Sequence, residues 1–442
     1  MNHSGKKAVV LGLGHSGEAA ATLLLERGAL VTVCESLDSA KIQEKAESLR
    51  ARGASILIGT EAESDPSNYD LAVLSPGIDP AVPLVQNVVS KNIPLIGELE
   101  LGFQECACPV VAITGTNGKT TTTELTTRIL QGCGQRTTAS GNIGLPFSSA
   151  VRQSASMDVM VLEVSSFQLE TIRTFRPKVA AWLNLSANHL DRYPGMQEYR
   201  AAKLRLFENQ TGEDFAVINA VNDLPPLKAR SITFSASSDK ADFTLRNNAI
   251  YFQSRKILDQ SQTRLPGPHN AENIMAALGI GHALGFEIEA LAASITDYAP
   301  PAHRCEWVRD LNGVRWINDS KATNLDAMAQ ALNSASGPVV LIAGGKDKGF
   351  EFDDMAKLVE SRARAAVLIG EMRHRIASSW KNTDCQCVHS LEEAVGVAQS
   401  LARSGDTVLF SPGTSSFDMF QNYGERGNLF KNFVNQLPTT TP

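Results

Sequence analysis

The residues with the greatest chemical capacity lie in one short stretch, Gly115-Thr116-Asn117-Gly118-Lys119-Thr120-Thr121. It stands between the apolar run Val110–Ile113 and a threonine-rich helical segment. Successive backbone N–H groups and the Lys119 ammonium suit the phosphates of a nucleotide, and the Thr120 hydroxyl suits Mg²⁺. The stretch departs from the common phosphate loop G-x-x-x-x-G-K-[ST]. Ile113 stands five before Gly118, where that pattern needs glycine, and Gly115 is only three before it. Without a nucleotide the same residues would be a threonine-rich helix cap. Glu163 ends a second apolar run, beside Ser165 and Ser166. A carboxylate there is placed to hold Mg²⁺ next to a phosphate loop, or to pair with a structural Arg or Lys. His189 and Asp191 follow a third run. Imidazole is an unusual ligand for a hard cation, so a histidine capping a loop is the plain alternative. Lys203, in the helical stretch Tyr199–Glu208, reads by itself as a solvated lysine.

A second set of residues is weaker singly. Gly12-x-Gly14-x-x-Gly17 follows a strand and opens a helix, and Glu35 closes the next strand. That is the dinucleotide fingerprint with its acid about 20 residues on. It fits NAD(P), another nucleotide, or a tight turn with no ligand. Asn270 and Asn273 precede an alanine-rich helix, and His303-Arg304 follow the pair Pro300-Pro301. Asp319, Lys321 and Thr323 lie in NDSKATN, Lys346 and Lys348 in GGKDKG, and Ser415 and Ser416 in SPGTSSFD. Each alone is a turn or a cap. Together they put cations and hydroxyls at strand ends, as an anionic site needs.

The elements that must position these residues are short β-branched runs alternating with amphipathic stretches, a pattern of parallel α/β sheets. In such sheets ligands bind at the carboxyl ends of the strands. The 442 residues, at about 150 per domain, suggest three domains. The boundaries fall near Ile96–Gly97 and at the double proline. We expect a Rossmann-like domain over 1–96, a central domain of P-loop ATPase type over 97–301 and a second Rossmann-like domain over 302–442. Residues 231–265 read as a small antiparallel excursion. A net charge of −6 argues against a surface-wide grip on nucleic acid. No run of about 18 apolar residues predicts a membrane span, and the N-terminal apolar run breaks at glycines rather than reading as a signal peptide. The seven cysteines include two C-x-C pairs but no C-x-x-C, so reduced thiols are expected rather than a zinc site.

With these motifs in order, TGTNGKTT, GNIG, SSFQLE, NHLDRY, YRAAKLR, PHNAEN, HRCE and NDSKATN, the chain resembles the Mur ligase family over essentially its whole length. TGTNGKTT matches that family's shortened phosphate loop. The GLGHSG opening, SSFQLE and SPGTSSFDMF favour the member that adds D-glutamate. The resemblance implies an ATP-dependent ligase of peptidoglycan precursor synthesis, cytoplasmic and monomeric, with two Mg²⁺ ions. It puts ATP on residues 115–121, Asn273, Arg304 and Asp319, with Lys119 at the β- and γ-phosphates. It puts one Mg²⁺ on Thr120 and Glu163, and a second on His189 and a carbamylated Lys203, reversing the solvated reading of that lysine. UDP-N-acetylmuramoyl-L-alanine would meet His15, Ser16, Glu35, Ser36, Ser75, Gly77, Asn142 and Gln168. D-Glutamate would meet Lys321, Thr323, Lys348, Ser416 and Phe417.

The implied reaction joins an alanyl carboxylate to the γ-phosphorus of ATP. The resulting acyl phosphate then passes its acyl group to the amine of D-glutamate, with closure of the last domain excluding water. An NAD(P)-dependent oxidoreductase and a non-catalytic nucleotide-binding module are the rival readings.

Overall fold

The computed structural model describes residues 3–63, 68–186, 192–295, 298, 302–335 and 337–438, with the side chains of 41, 326 and 334 left out. Three sheets follow one another along the chain. The first contains β1 (Lys7–Leu11), β2 (Leu30–Glu35), β3 (Ser55–Ile58), β4 (Leu71–Leu74) and β5 (Leu95–Gly97), in the order β3-β2-β1-β4-β5. All its pairings are parallel. Ala8 to Leu11 are buried without alternation, as expected of a parallel strand covered on both faces.

The second sheet contains β6 (Val110–Thr114), β7 (Thr137–Gly141), β8 (Val159–Glu163), β9 (Val179–Trp182) and β10 (Phe215–Asn219). It continues through β11 (Arg230–Ser235), β12 (Phe243–Arg246), β13 (Ala249–Phe252) and β14 (Arg255–Asp259). Its order is β14-β13-β12-β11-β10-β9-β6-β8-β7. Strands β12 to β14 pair antiparallel, but β11 pairs parallel with β10 and β12. The expected excursion is therefore a continuation of the main sheet, because the strand that opens it joins the parallel ladder. Strands β6, β8 and β9 are neighbours, with Ile113 opposite both Glu163 and Ala181. That register brings the loops after all three to one edge.

The third sheet contains β15 (Glu306–Leu311), β16 (Val314–Asn318), β17 (Val339–Gly344), β18 (Ala363–Ile369), β19 (Asp384–Cys387) and β20 (Thr407–Phe410). Its order is β15-β16-β20-β17-β18-β19, parallel except for the edge strand β15. The first two sheets lie in one compact unit and the third in another.

A helix over Glu98–Glu105 connects the first two sheets and buries its first five residues. Glu100 fastens it, accepting the N–H groups of Arg173, Thr174 and Phe175, each at 2.9 Å. Glu98 accepts the Ser148 N–H at 2.6 Å, while its other oxygen is buried with no hydrogen-bond partner. Burial pushes this carboxyl up to about 7, against the Ser148 bonds.

Candidate active site

Strand β6 ends at Thr114, and the chain turns through Gly115–Gly118 into a helix over Lys119–Gly132. Gly118 has φ +80°, and a Cβ there would lie 2.3 Å from Asn273 Oδ1, so only glycine fits. It caps the helix without a side-chain bond, and such an N-terminus favours an anion. Asn273 closes the far wall. Its Oδ1 accepts the Thr122 hydroxyl at 3.2 Å, and its Nδ2 donates to Asn270 Oδ1 at 3.3 Å. Thr116, Thr120 and Thr121 are buried, whereas Asn117 and Lys119 are half-buried.

Two amines meet at this loop. Lys119 Nζ donates to the carbonyls of Gly115 at 3.0 Å and Thr116 at 2.9 Å. Lys203 Nζ donates to the same Gly115 carbonyl at 2.9 Å and to Thr114 Oγ1 at 3.4 Å. Lys203 is only 1% exposed, so it is not the solvated helix lysine that its local sequence suggests. Its helix, Met196–Leu204, turns Tyr199, Ala202 and Lys203 inward together. The Lys203 Nζ lies 4.8 Å from the centre of the Tyr199 ring. Burial, reinforced by the nearby Lys119 charge, holds the Lys203 amine well below the usual lysine range, with Glu163 opposing.

Glu163 stands at the end of β8, 3% exposed. Asn142 Nδ2 donates to its Oε1 at 2.8 Å, and the Asn142 N–H donates to its backbone carbonyl at 2.9 Å. Its Oε2 is buried with no partner. A carboxylate oxygen left in that state is costly unless a cation meets it, so the donor set fits a hard metal ion. Asn142, expected at the UDP-sugar, here orients this carboxylate. Gln168 is buried in a capping box with Ser165, its Oε1 accepting from Ser165 N–H at 2.9 Å and Oγ–H at 3.0 Å. His189 falls outside the described residues.

In the first sheet the connections change direction between β1 and β4, the usual ligand crevice of such sheets. The loops after these strands meet there, with Ser75 Oγ donating to the Gly12 carbonyl at 3.4 Å. Gly17 cannot be larger, since a Cβ would lie 1.9 Å from the Gly12 carbonyl oxygen. Glu35 turns back onto the glycine loop, accepting Leu13 N–H at 2.7 Å and Leu37 N–H at 3.0 Å. His15, Ser36 and Gly77 are exposed around it and Ser16 is half-buried.

The third sheet gathers the remaining set. Asp319 Oδ1 accepts Cys305 N–H at 3.1 Å and its Oδ2 accepts the Ser411 hydroxyl at 2.8 Å. Burial pushes its carboxyl up to about 6, opposed by these bonds and the Arg304 charge. Arg304 Nε is buried without a partner. His303, with φ +68°, accepts Lys321 N–H on its carbonyl at 3.0 Å. Lys348 Nζ reaches the Thr323 carbonyl at 3.4 Å, whereas Lys346 pairs through its backbone with Ser415. Ser416 is buried and Phe417 is 67% exposed.

Arg426, absent from the sequence reading, is fully buried between the NDSKATN and SPGTSS segments. It donates to Ser320 Oγ at 3.0 Å, the Ser320 carbonyl at 2.8 Å and the Thr414 carbonyl at 3.3 Å. Burial pulls it down to about 10. No spacing in the sequence marks it. Asn184, just beyond β9, is a second such residue: its Oδ1 accepts the N–H groups of Thr116 at 3.1 Å and Asn117 at 2.9 Å. It lies inside the motif Asn-Leu-Ser-Ala-Asn-His, in which the histidine is the more obvious ligand candidate.

Three family models match the chain. They are the MurD-like N-terminal domain at residues 6–97, the Mur ligase middle domain at 113–281 and the Mur ligase glutamate ligase domain at 303–413. The UDP-N-acetylmuramoylalanine–D-glutamate ligase of Geotalea uraniireducens is 41% identical, over 98% of this chain and 98% of its own. Among solved structures, a MurF ligase from Thermotoga maritima in complex with ADP superposes with a TM-score of 0.63 at 14% identity. That match covers 92% of this chain and 95% of the other. The UDP-N-acetylmuramate–alanine ligase of the same organism gives 0.61 at 18% identity, over 97% and 99%. These two likenesses establish a shared three-domain α/β fold. With matched models in all three domains and a relative this similar over nearly its full length, the chain belongs to the Mur ligase family.

Proposed function

We propose that this protein joins D-glutamate to UDP-N-acetylmuramoyl-L-alanine, converting ATP to ADP and phosphate, as a step in peptidoglycan precursor synthesis. The observation that carries the chemistry is the meeting of Lys119 and Lys203 on one carbonyl beside the unpartnered oxygen of Glu163. Two amines and an orphaned carboxylate, at a glycine-lined helix N-terminus, form a site that needs phosphate and cation together. The full-length relative named for this ligation supports the choice of substrates.

The alanyl carboxylate oxygen attacks the γ-phosphorus, and the bond to the β-phosphate oxygen breaks. ADP leaves and an acyl phosphate forms. The D-glutamate amine then attacks the acyl carbon, loses its proton, and inorganic phosphate departs as the amide forms. The first step brings two anions together, so positive groups fixed in place before reaction supply most of the help. Lys119 would leave the Gly115 and Thr116 carbonyls for the phosphate oxygens. Thr120 and Glu163 would hold one Mg²⁺, and His189 with a carbamylated Lys203 a second, supplying charge neutralisation between the anions. The Lys203 amine, buried and held toward its neutral form, is the form that adds CO₂; the carbamate gives the oxygen ligand a hard cation requires.

Residues 1–96 would bind the UDP-sugar, 97–301 ATP and 302–442 D-glutamate, with Asn273, Arg304 and Asp319 on the nucleotide. In the first domain His15, Ser16, Glu35, Ser36, Ser75 and Gly77 would receive the UDP-sugar, with Asn142 and Gln168 from the second. Lys321, Thr323, Lys348, Ser416 and Phe417 would receive D-glutamate. The enzyme would act as a monomer in the cytoplasm. Among the described residues no helix is long and apolar enough to cross a membrane.

The deciding experiment is phosphate release from ATP with UDP-N-acetylmuramoyl-L-alanine and either D- or L-glutamate. Release should require the UDP-sugar and D-glutamate together. Equal release with L-glutamate, or release without either acceptor, would overturn the proposal.

A further inference from the structure

Asn184 belongs to none of the residue sets assigned above, yet both its side chain and its backbone carbonyl bond the phosphate loop. Strand β9 pairs with β6 so that Trp182 faces Thr114, and Leu183 N–H donates to the Thr114 carbonyl at 3.0 Å. Two residues farther along each chain, Asn184 stands beside Thr116. Its Oδ1 accepts the consecutive N–H groups of Thr116 and Asn117. Its Nδ2 returns a bond to the Asn117 carbonyl at 3.1 Å, and its backbone carbonyl accepts Thr116 N–H at 3.1 Å. Gly115 permits the approach, because a Cβ there would sit 2.9 Å from Leu183 Cβ and 3.3 Å from the Asn184 nitrogen.

Two successive N–H groups aimed at one oxygen are the arrangement by which a backbone nest holds an anion. We propose that Asn184 is a positioning residue, a neutral stand-in for an anionic oxygen that fixes the Thr116 and Asn117 peptides and so presets the loop for nucleotide phosphate. Neutrality is essential to the role. A carboxylate at the same point would accept the same two bonds but set a negative charge beside the incoming phosphates. The carboxamide also gives what a carboxylate cannot, a donor for the Asn117 carbonyl. The inference rests on the phosphate-transfer reading above and assigns a residue to keep its loop in shape.

The test is calorimetric titration of ADP, and separately of UDP-N-acetylmuramoyl-L-alanine, into the native protein, Asn184→Ala, Asn184→Asp and Lys119→Ala. Asn184→Ala should weaken ADP binding about tenfold, the scale of lost loop hydrogen bonds, with UDP-sugar affinity unchanged. Asn184→Asp should weaken ADP further, about a hundredfold at pH 8, through like-charge repulsion. In turnover the KM for ATP should rise while that for D-glutamate holds. Native ADP affinity in both Asn184 variants overturns the inference, as does equal loss of ADP and UDP-sugar affinity. If Asn184→Ala does not fold, Asn184→Asp, which keeps both accepted bonds, decides alone. Should Lys119→Ala lose turnover while the Asn184 variants stay native, only this inference fails. If Lys119→Ala turns over ATP normally, the reading of the loop itself fails.

Discussion

The loop after β1 and the loop after β6 share one design: a strand, a glycine-lined turn and a helix whose cap, Gly14 or Gly118, offers no side-chain bond. Their surroundings differ in charge. At the first loop Glu35 is turned inward onto Leu13 and Leu37 N–H groups, and Lys45, whose Nζ reaches the Leu13 carbonyl at 3.5 Å, is paired with Glu18 at 2.9 Å. At the second, two lysines share one carbonyl next to a carboxylate oxygen with no partner. The first has its charges settled and is suited to holding a ligand. The second brings two amines to a loop beside an orphaned carboxylate oxygen and is suited to changing one. A local sequence pattern thus fixes the shape of a phosphate-sized cradle, while distant residues decide whether chemistry happens in it.

That contrast breaks if the second loop proves to be only a binding site. Lys203→Ala should lower turnover by about a thousandfold or more, as losses at charge-stabilising groups do, with partial recovery on adding short carboxylates. A fully active variant in steady-state assays would remove the carbamate from the mechanism. Lys119→Ala should abolish ADP formation on a similar scale and leave UDP-sugar binding intact by calorimetry. Glu163→Gln should cost about a hundredfold in turnover and raise the Mg²⁺ concentration needed for half-activity. At the other loop the effect should be smaller and of another kind. Glu35→Ala should raise the KM for the UDP-sugar about tenfold and leave the KM for ATP alone.

The smallest effect concerns the helix joining the two regions. Glu98 titrates near 7 when folded against 4.5 as its ordinary value. Between those pH values the folded protein binds more protons than the unfolded, so stability falls as pH rises and stays lower above 7. Glu98→Gln should flatten this dependence and raise the melting temperature at pH 8 relative to pH 5. The gain is bounded by roughly 3 kcal/mol. Equal pH dependence in both proteins, by thermal denaturation, would contradict the buried acid's role.

Much of this was legible because local chemistry and local conformation coincide. Gly118 and Lys119 declare a phosphate loop through the turn they must make, and Glu163 declares itself by ending an apolar strand. Lys203 does not. Its helix carries arginine, glutamate and glutamine on other positions, and its burial follows from packing against elements far away in sequence. Family resemblance supplied what periodicity lacked. Asn142 is expected at the UDP-sugar from its motif alone; that it also orients Glu163 follows only from the pairing of β7 with β8, Gly141 opposite Glu163. Asn184 and Arg426 were missed for one reason. Each takes its role from backbone groups of remote loops, which the residues beside it in sequence do not reveal, even where, as for Asn184, those residues form a motif.

The bond between Thr122 and Asn273 spans 151 positions of chain. During synthesis the glycine turn and its lysine leave the ribosome long before the wall that completes them. A nascent chain ending short of Asn273 therefore carries the cradle without its closing side. Any stabilisation by nucleotide that depends on this wall thus belongs to the last stage of assembly.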